Sequence, residues 1–571
     1  MKNTEKKICR MTAHLLAAYG VRDVVLCPGN RNAPLIMAVE RHPELRAQTV
    51  VDERVGSFVA LGMAAQSGRP AAVVCTSGSA VLDCAPAVAE AYYRQIPLVV
   101  ISADRPADFI DNGQPQTIRQ AGVLANIVRC SVDIEPEDSS ERRLTYANRR
   151  LNKALTAATG HPCGPVHINI QIDTPLAAET EVSDAETFRK IELTGPCMTL
   201  PTREARQLGQ ELAPPRKVLI VCGAMAPDDK VRNAVSRLAR IPNIAVLAED
   251  NANVNCGEAS TACNIDAVLA SLGAEQRREL LPGILITVGA PLVSGRLGAF
   301  LSGHPDIQHW SINEDASPID TYGILTRHIQ LPARSFLPQL ASAVQPFRTT
   351  ALYFGKMWQE AAEMTMKAAM TFTPETLWND FTAMRELVSV HDKKINVHVS
   401  NGMSVRLFQA LCAKPFHRTD CNRGVSGIDG ATSTAIGAAM VTDTPVMLIS
   451  GDMSAQYDMG ALAVDGVPAS FRMVVFSNRG GNIFRIVGST RGLEEREHRF
   501  CNIVSLPLEQ LAEGFGFDYY EARDMTSLRA LLPHFLDVRT TAAPAILNIV
   551  TDGDSGAEAW RAYIRSISHN E

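Results

Sequence analysis

The sequence predicts an α/β protein of three domains, each a parallel sheet flanked by helices. Three observations carry this. Short apolar runs recur along the 571 residues and alternate with longer helix-like stretches. The runs are rich in Val, Ile and Leu and commonly close on Gly, Asp or Asn, as strands buried on both faces of a parallel sheet do. Two punctuated segments divide the runs into three groups.

The first group holds VVLCPG from Val24, AAVVCTSG from Ala71, LVVISAD from Leu98 and VHINIQI from Val166. The segment Thr174–Arg203, rich in acids, Thr and Pro, then reads as a linker. The second group holds VLIVCG from Val218, IAVLAED from Ile244, GILITVG from Gly283 and IQHWSIN from Ile307. It ends at a second linker-like segment, Pro332–Thr350. The third group holds INVHVS from Ile395, PVMLISGD from Pro445, MVVFSN from Met473 and ILNIV from Ile546. Strand, turn and helix in alternation argue for α/β layers. The expected domains lie near residues 1–180, 190–345 and 355–571. At roughly 150 residues per domain the length agrees with three or four.

Composition excludes several classes. There are 55 basic and 61 acidic side chains, a net charge of −6, so no basic nucleic-acid footprint dominates. Only 20% of residues are charged and 46% are apolar, which suggests large cores and a subunit interface. The thirteen cysteines are scattered without a Cys-x-x-Cys pair, and Cys75 and Cys222 sit inside apolar runs. They read as buried hydrophobes in a reducing, cytoplasmic compartment. The N-terminus lacks the apolar core and cleavage site of a signal peptide. No run of about 18 apolar residues exists to span a membrane.

In parallel sheets, ligands bind beyond the carboxyl ends of the strands. The most informative such end is Ser450-Gly451-Asp452-Met453-Ser454, followed 26 positions after Asp452 by Asn478 and then Arg479-Gly480-Gly481-Asn482. An acid and an amide at consecutive strand ends can share one hard cation, with phosphate oxygens among its ligands. Small neighbours let backbone N–H groups approach the phosphates. The bland alternative is an ordinary strand-to-helix turn with an Asp cap.

Gly-Asp followed by Asn at this distance resembles the thiamin diphosphate fingerprint. The usual Gly after the Asp is here Met453, a departure found in the 2-succinyl-5-enolpyruvyl-6-hydroxy-3-cyclohexene-1-carboxylate (SEPHCHC) synthases. Further segments resemble that branch in order: Leu26 to Leu35, Asp52-Glu53-Arg54, Thr76 to Ala80, Ala103 to Pro106, Gln116 to Gln120, Gly164 to Asn169, Ser404-Val405-Arg406 and Asn422 to Gly430. The middle third matches mainly by length and by Ser294-Gly295-Arg296-Leu297.

The resemblance implies three domains of the thiamin diphosphate-dependent decarboxylase type: pyrimidine-binding, central and diphosphate-binding. It makes Glu53 the cofactor-activating carboxyl, general acid–base work that a partly desolvated acid suits. The alternative for Glu53 is a solvated acid at a helix start. Ile428 and Met403, apolar in segments that read as loops, would shape the bound cofactor. Ser454, Gly451 and Gly481 would line it, and Asp452, Asn478 and the Gly480 carbonyl would hold Mg2+, or Mn2+ in its place. Arg31, Arg105, Arg296, Arg406 and Arg423 each fall beside a Gly or Pro turn after a strand. With Asn30 and Gln116 they would bind the carboxylates of 2-oxoglutarate and isochorismate, since arginine forks take carboxylates bidentately. No histidine falls at a catalytic position, and His167 reads as a core residue.

Three positions depart from the family pattern: Asn30 and Gly402 replace Ser, and Gly295 replaces Lys. A lost charge-assisted contact typically costs about 1.5–3 kcal/mol, so the cofactor site reads as intact and the substrate site as edited. The leading expectation is decarboxylation of 2-oxoglutarate and addition of the succinyl unit to isochorismate in menaquinone biosynthesis. The active sites would lie between the subunits of a homodimer or homotetramer. The alternatives are another thiamin diphosphate-dependent 2-oxo acid enzyme, or a non-catalytic paralogue.

Overall fold

The computed structural model describes residues 2–568 except 139, 184–185, 196–197, 255–260, 263, 345–352, 391–393, 502–504 and 540–541. Its frame is three six-stranded parallel sheets. The first contains β1 (Asp23–Leu26), β2 (Arg46–Thr49), β3 (Ala71–Cys75), β4 (Leu98–Asp104), β5 (Cys130–Ile134) and β6 (Val166–Gln171). The second contains β7 (Val218–Cys222), β8 (Ile244–Ala248), β9 (Thr261–Ala262), β10 (Ile284–Val288), β11 (Gln308–Ile312) and β12 (Leu325–Ile329). The third contains β13 (Asn396–Val399), β14 (Arg418–Asp420), β15 (Val446–Gly451), β16 (Arg472–Ser477), β17 (Asp518–Ala522) and β18 (Ala545–Val550).

The first sheet runs β2-β1-β3-β4-β6-β5 and the third runs β14-β13-β15-β16-β18-β17. These are one and the same order. The middle sheet differs, running β9-β8-β7-β10-β11-β12. All twelve apolar runs read from the sequence are inner strands, four per sheet. The strands it did not single out are the edges. β2, β12 and β17 are largely exposed or half-buried, so nothing selects a continuous apolar run there.

Six helices position the candidate functional residues: α1 (Glu53–Ser67), α2 (Asp380–Ser389), α3 (Met403–Leu411), α4 (Ala431–Ala439), α5 (Asp452–Tyr457) and α6 (Gly553–Ile567). The Asp52 side chain caps α1 by accepting from the Arg54 and Val55 N–H groups, and Gly68 ends it at φ +66°. α1 is buried over most of its length and α4 over all of it, because the two helices cross with backbones in contact. A Cβ added to Gly62 would lie 2.0 Å from the Thr434 carbonyl oxygen, and one on Gly437 2.0 Å from that of Val59. This crossing merges the facing sides of the first and third sheets into one hydrophobic core.

The expected linkers are partly structured. Glu179–Glu181 pairs antiparallel with Lys2–Thr4. Ala333–Ala343 is a helix that packs Phe336, Leu337 and Leu340 into the central core. The remainder of those two segments includes residues 184–185, 196–197 and 345–350, which lie outside the described residues. Cys9, Cys27, Cys75, Cys84, Cys130, Cys163, Cys421 and Cys501 are free thiols. Among the described residues no helix is long and apolar enough to cross a membrane.

Gly437→Val should lower the thermal midpoint by several degrees, since overpacking a closed contact destabilises. Gly298→Ala, in a short helix where a Cβ meets nothing within 4 Å, should leave the midpoint unchanged or raise it. Calorimetry checks both; equal midpoints for wild type and Gly437→Val would remove the crossing from its structural role.

Candidate active site

In the third sheet the strand order reverses between β13 and β15, the kind of point where α/β sheets open a crevice. A cleft of about 100 Å3 lies there. Met403, Ile428, Gly451, Asp452, Ser454, Asn478, Gly480 and Gly481 all line it. Eight positions selected from the sequence therefore meet at one place.

Asp452 opens α5 at the end of β15 and is 5% exposed. Its Oδ1 accepts from the Met453 N–H at 2.8 Å. Its Oδ2 accepts from the N–H groups of Asn478 at 3.1 Å and Gly480 at 3.0 Å. Burial pushes this carboxyl up to about 6, and the Asp380 charge acts the same way against the backbone donors. Asn478 ends β16 buried, with its Oδ1 unpartnered. Gly480 has φ +119°, and a Cβ there would lie 1.3 Å from the Cys501 carbonyl oxygen, so only glycine fits. A buried carboxylate beside an unpartnered amide oxygen, in a glycine turn, is a hard oxygen set that fits a divalent cation. Among the described residues no cluster of three or more His, Cys, Asp and Glu offers another metal centre.

The apolar side of the cleft is built from α3 and the loop before α4. Met403 is buried at the first turn of α3 rather than in a loop. The Ser454 hydroxyl donates to the Ile428 carbonyl at 2.6 Å, fixing that loop to α5. Gly402 has φ +95°, a backbone conformation that favours glycine.

The arginines form two pairs. Arg406 lies inside α3, one turn beyond Gly402, and donates to the Gly402 carbonyl at 2.7 Å. Burial lowers its pKa, and the charge of Arg423 lowers it further. Arg423 is buried and donates to the Asn401 Oδ1 at 2.9 Å and the Leu292 carbonyl at 2.7 Å, leaving Nε unpartnered. Arg31 is likewise lowered by burial and then by Arg105. It donates to the Ile172 carbonyl at 2.8 Å, and the buried Nε of Arg105 has no partner. Desolvated neighbouring guanidiniums favour an anion between them. Asn30 and Gln116 are exposed on loops, Gln116 at φ +54°. Arg296 and Gly295 are exposed at a helix start, where the Arg296 N–H donates to Asp266 at 3.2 Å.

Glu53, Arg31, Arg105 and Gln116 do not line this cleft, which within one chain takes its lining from residues 380–484. Glu53 is half-buried at the start of α1, and burial raises its pKa, with Asp83 and Asp52 adding to this. His167 is buried and hydrogen-bonded to Ser102 at 2.8 Å, a core residue held down to about 4 by burial. The sequence reading missed Asp380, which accepts from Asn478 Nδ2 at 2.7 Å and from Asn482 Nδ2 at 2.9 Å. Nothing in Asn379-Asp380 separates it from an ordinary helix start.

The family model for the N-terminal thiamine pyrophosphate-binding domain of thiamine pyrophosphate enzymes matches residues 6–123. The chain is 33% identical over 571 residues to a protein of Porphyromonas gingivalis named 2-succinyl-5-enolpyruvyl-6-hydroxy-3-cyclohexene-1-carboxylate synthase, covering 99% of this chain and 98% of that one. Proteins of the same name from Flavobacterium johnsoniae and Bacteroides fragilis are each 32% identical. They cover 97% and 100% of this chain, and 98% and 100% of their own lengths.

Asp452→Ala should leave the protein folded and weaken Mg2+-dependent thiamin diphosphate binding by about tenfold to a hundredfold, the range for a lost contact to a charged group. Isothermal titration reads this; wild-type affinity in the variant would refute the cation site.

Proposed function

The chain belongs to the SEPHCHC synthase family of thiamin diphosphate-dependent enzymes, and from that premise we propose that it decarboxylates 2-oxoglutarate and transfers the succinyl unit to isochorismate by 1,4-addition, in menaquinone biosynthesis. The observation that carries this reading is the pairing of a buried Asp452 carboxylate with the unpartnered Asn478 oxygen in a cleft lined by Met403 and Ile428. When bound, thiamin diphosphate supplies a nucleophilic carbon and an electron sink for loss of carbon dioxide.

The chain's own residues supply the rest. Asp452, Asn478 and the Gly480 carbonyl would hold Mg2+ (Mn2+ can take its place), and Ser454, Gly451 and Gly481 would sit against the diphosphate. Met403 and Ile428 would pack on the cofactor and keep water from it. Glu53, with its raised pKa, would hold a proton at its carboxyl oxygen and exchange it with the pyrimidine of the cofactor. The arginines Arg31, Arg105, Arg296, Arg406 and Arg423, with Asn30 and Gln116, would fix the substrate carboxylates.

This reading needs a second copy of the chain. Glu53 would complete the cleft of its partner, so the active unit is a homodimer or a dimer of dimers. Val51, 78% exposed beside Glu53, and Leu82, 44% exposed beside Asp83, support an apolar contact there. The first, second and third sheets would then be the pyrimidine-binding, central and diphosphate-binding domains. Free, buried thiols such as Cys9, Cys27 and Cys75 support a reducing, cytoplasmic setting.

With 2-oxoglutarate and isochorismate, wild type plus Mg2+ and thiamin diphosphate should form the succinylated cyclohexene. Turnover of pyruvate or another 2-oxo acid, with no product from this pair, would sink the assignment. Exchange of the thiazolium ring proton, followed by NMR, should slow about 10²- to 10⁴-fold in Glu53→Gln. Equal exchange in both proteins would remove Glu53 from that role.

A further inference from the structure

We infer that Asp380 is a positioning residue that fixes the orientation of two carboxamides, Asn478 and Asn482, and thereby presents both amide oxygens as acceptors at the cation end of the cleft. The inference rests on the proposed cation site and adds two residues to it, Asp380 and Asn482.

Asp380 is 2% exposed at the first turn of α2, a helix whose start is fixed by the reciprocal Asn379–Thr382 cap. Its Oδ2 accepts from both amide nitrogens, Asn478 Nδ2 at 2.7 Å and Asn482 Nδ2 at 2.9 Å. Its Oδ1 accepts from the Thr551 hydroxyl. An ionised carboxylate only accepts, whereas a carboxamide has one donating and one accepting end. With Asp380 on one side, the nitrogen of each amide must turn inward. A flipped amide would set its oxygen against a buried carboxylate.

The consequence is visible at the other end of each amide. Asn478 Oδ1 and Asn482 Oδ1 are both buried and both without a partner. Unpartnered buried acceptors are rare and costly unless a ligand meets them. Both residues line the cleft with Asp452. A diphosphate group carries only acceptor oxygens and would repel an amide oxygen. Asn482 Oδ1 is therefore matched to the cation itself or to a hydrogen of a cation-bound water. The group is also clamped from behind by α6. A Cβ on Gly556 would lie 3.0 Å from both Asn482 Nδ2 and Asp380 Oδ2.

The test is cation affinity, not turnover. Mn2+ is titrated into apoprotein with thiamin diphosphate, and free Mn2+ is read from its EPR signal. Asp380→Leu should weaken Mn2+ binding by about tenfold or more, the usual effect of removing the partner that orients a ligand. Asp380→Asn should restore affinity to within about threefold, because its Oδ1 can accept from both amides while its Nδ2 faces the Thr551 hydroxyl. Asn482→Leu should weaken binding severalfold with Asp380 intact. Wild-type affinity in Asp380→Leu would overturn the inference, and so would an Asp380→Asn as weak as Asp380→Leu, which would make charge rather than orientation the cause. If Asp380→Leu does not fold, the other two variants decide: Asp380→Asn near wild type with Asn482→Leu weakened supports the inference, and any other combination overturns it. Failure of wild type to bind Mn2+ with thiamin diphosphate would instead overturn the functional reading beneath it.

Discussion

The contact on which the rest depends is the crossing of α1 over α4 at Gly62 and Gly437. Two helices cannot come this close with side chains between them, and here each presents a glycine to a carbonyl of the other. Two further ties hold α1 at its ends. Arg418 of β14 donates to the Ala65 and Gln66 carbonyls at 2.8 and 3.2 Å, satisfying the carboxyl end of the helix. Arg54, beside Glu53, donates to the Tyr457 carbonyl at 3.0 Å, where α5 ends. Asp458, the next residue, accepts from the Ser433 N–H and hydroxyl, each at 2.7 Å, and so joins α5 to α4. The helix that begins with Glu53 and the helix that begins with Asp452 are thus fixed in one frame by backbone contact and a few buried polar bonds. Position at the chemistry is inherited from packing far behind it.

Electrostatics inside this frame runs against the overall charge in opposite directions. Asp380 and Asp452 place two buried carboxyls near one another, each raised by burial. Arg31 with Arg105, and Arg406 with Arg423, do the reverse with positive charge. Each group is desolvated and has a like-charged neighbour. Such arrangements are destabilising alone and become favourable when the complementary ion arrives. The first arrangement favours a cation and the others favour anions. The net charge of −6 reports neither.

The sequence made the inner architecture legible because inner strands of parallel sheets must be apolar on both faces. Edge strands carry no such demand: Arg418-Thr419-Asp420 is polar throughout and is held by its own ion pair and by hydrogen bonds to α1. The cation end of the site was legible for a related reason. Asp452 and Asn478 follow immediately on apolar runs, and Gly480 lies just beyond, so the strand ends could be located and the residues after them read. Arg406 reads as lying beside a Gly turn after a strand, and it lies one helical turn beyond Gly402, whose positive φ sets the start of α3. Asp380 was invisible because its role exists only across space. It lies 98 residues from Asn478 and 102 from Asn482, and only the folded chain brings the three together.

The shared strand order of the first and third sheets has an implication of symmetry. α1 joins the second and third strands of the first group in chain order, and α4 does the same in the third group. In each helix the glycine stands three residues after the carbonyl that receives the other's glycine: Val59 and Gly62, Thr434 and Gly437. That reciprocity is the signature of an isologous contact, the kind two identical subunits make about a twofold axis. Within one polypeptide the first and third sheets thus pack as a pseudo-twofold pair, with the second sheet between them in chain order. Counted back nine residues from each glycine, the counterpart of Glu53 is Ile428. The same place in the repeated pattern therefore carries an acid in one half and an apolar side chain lining the cleft in the other.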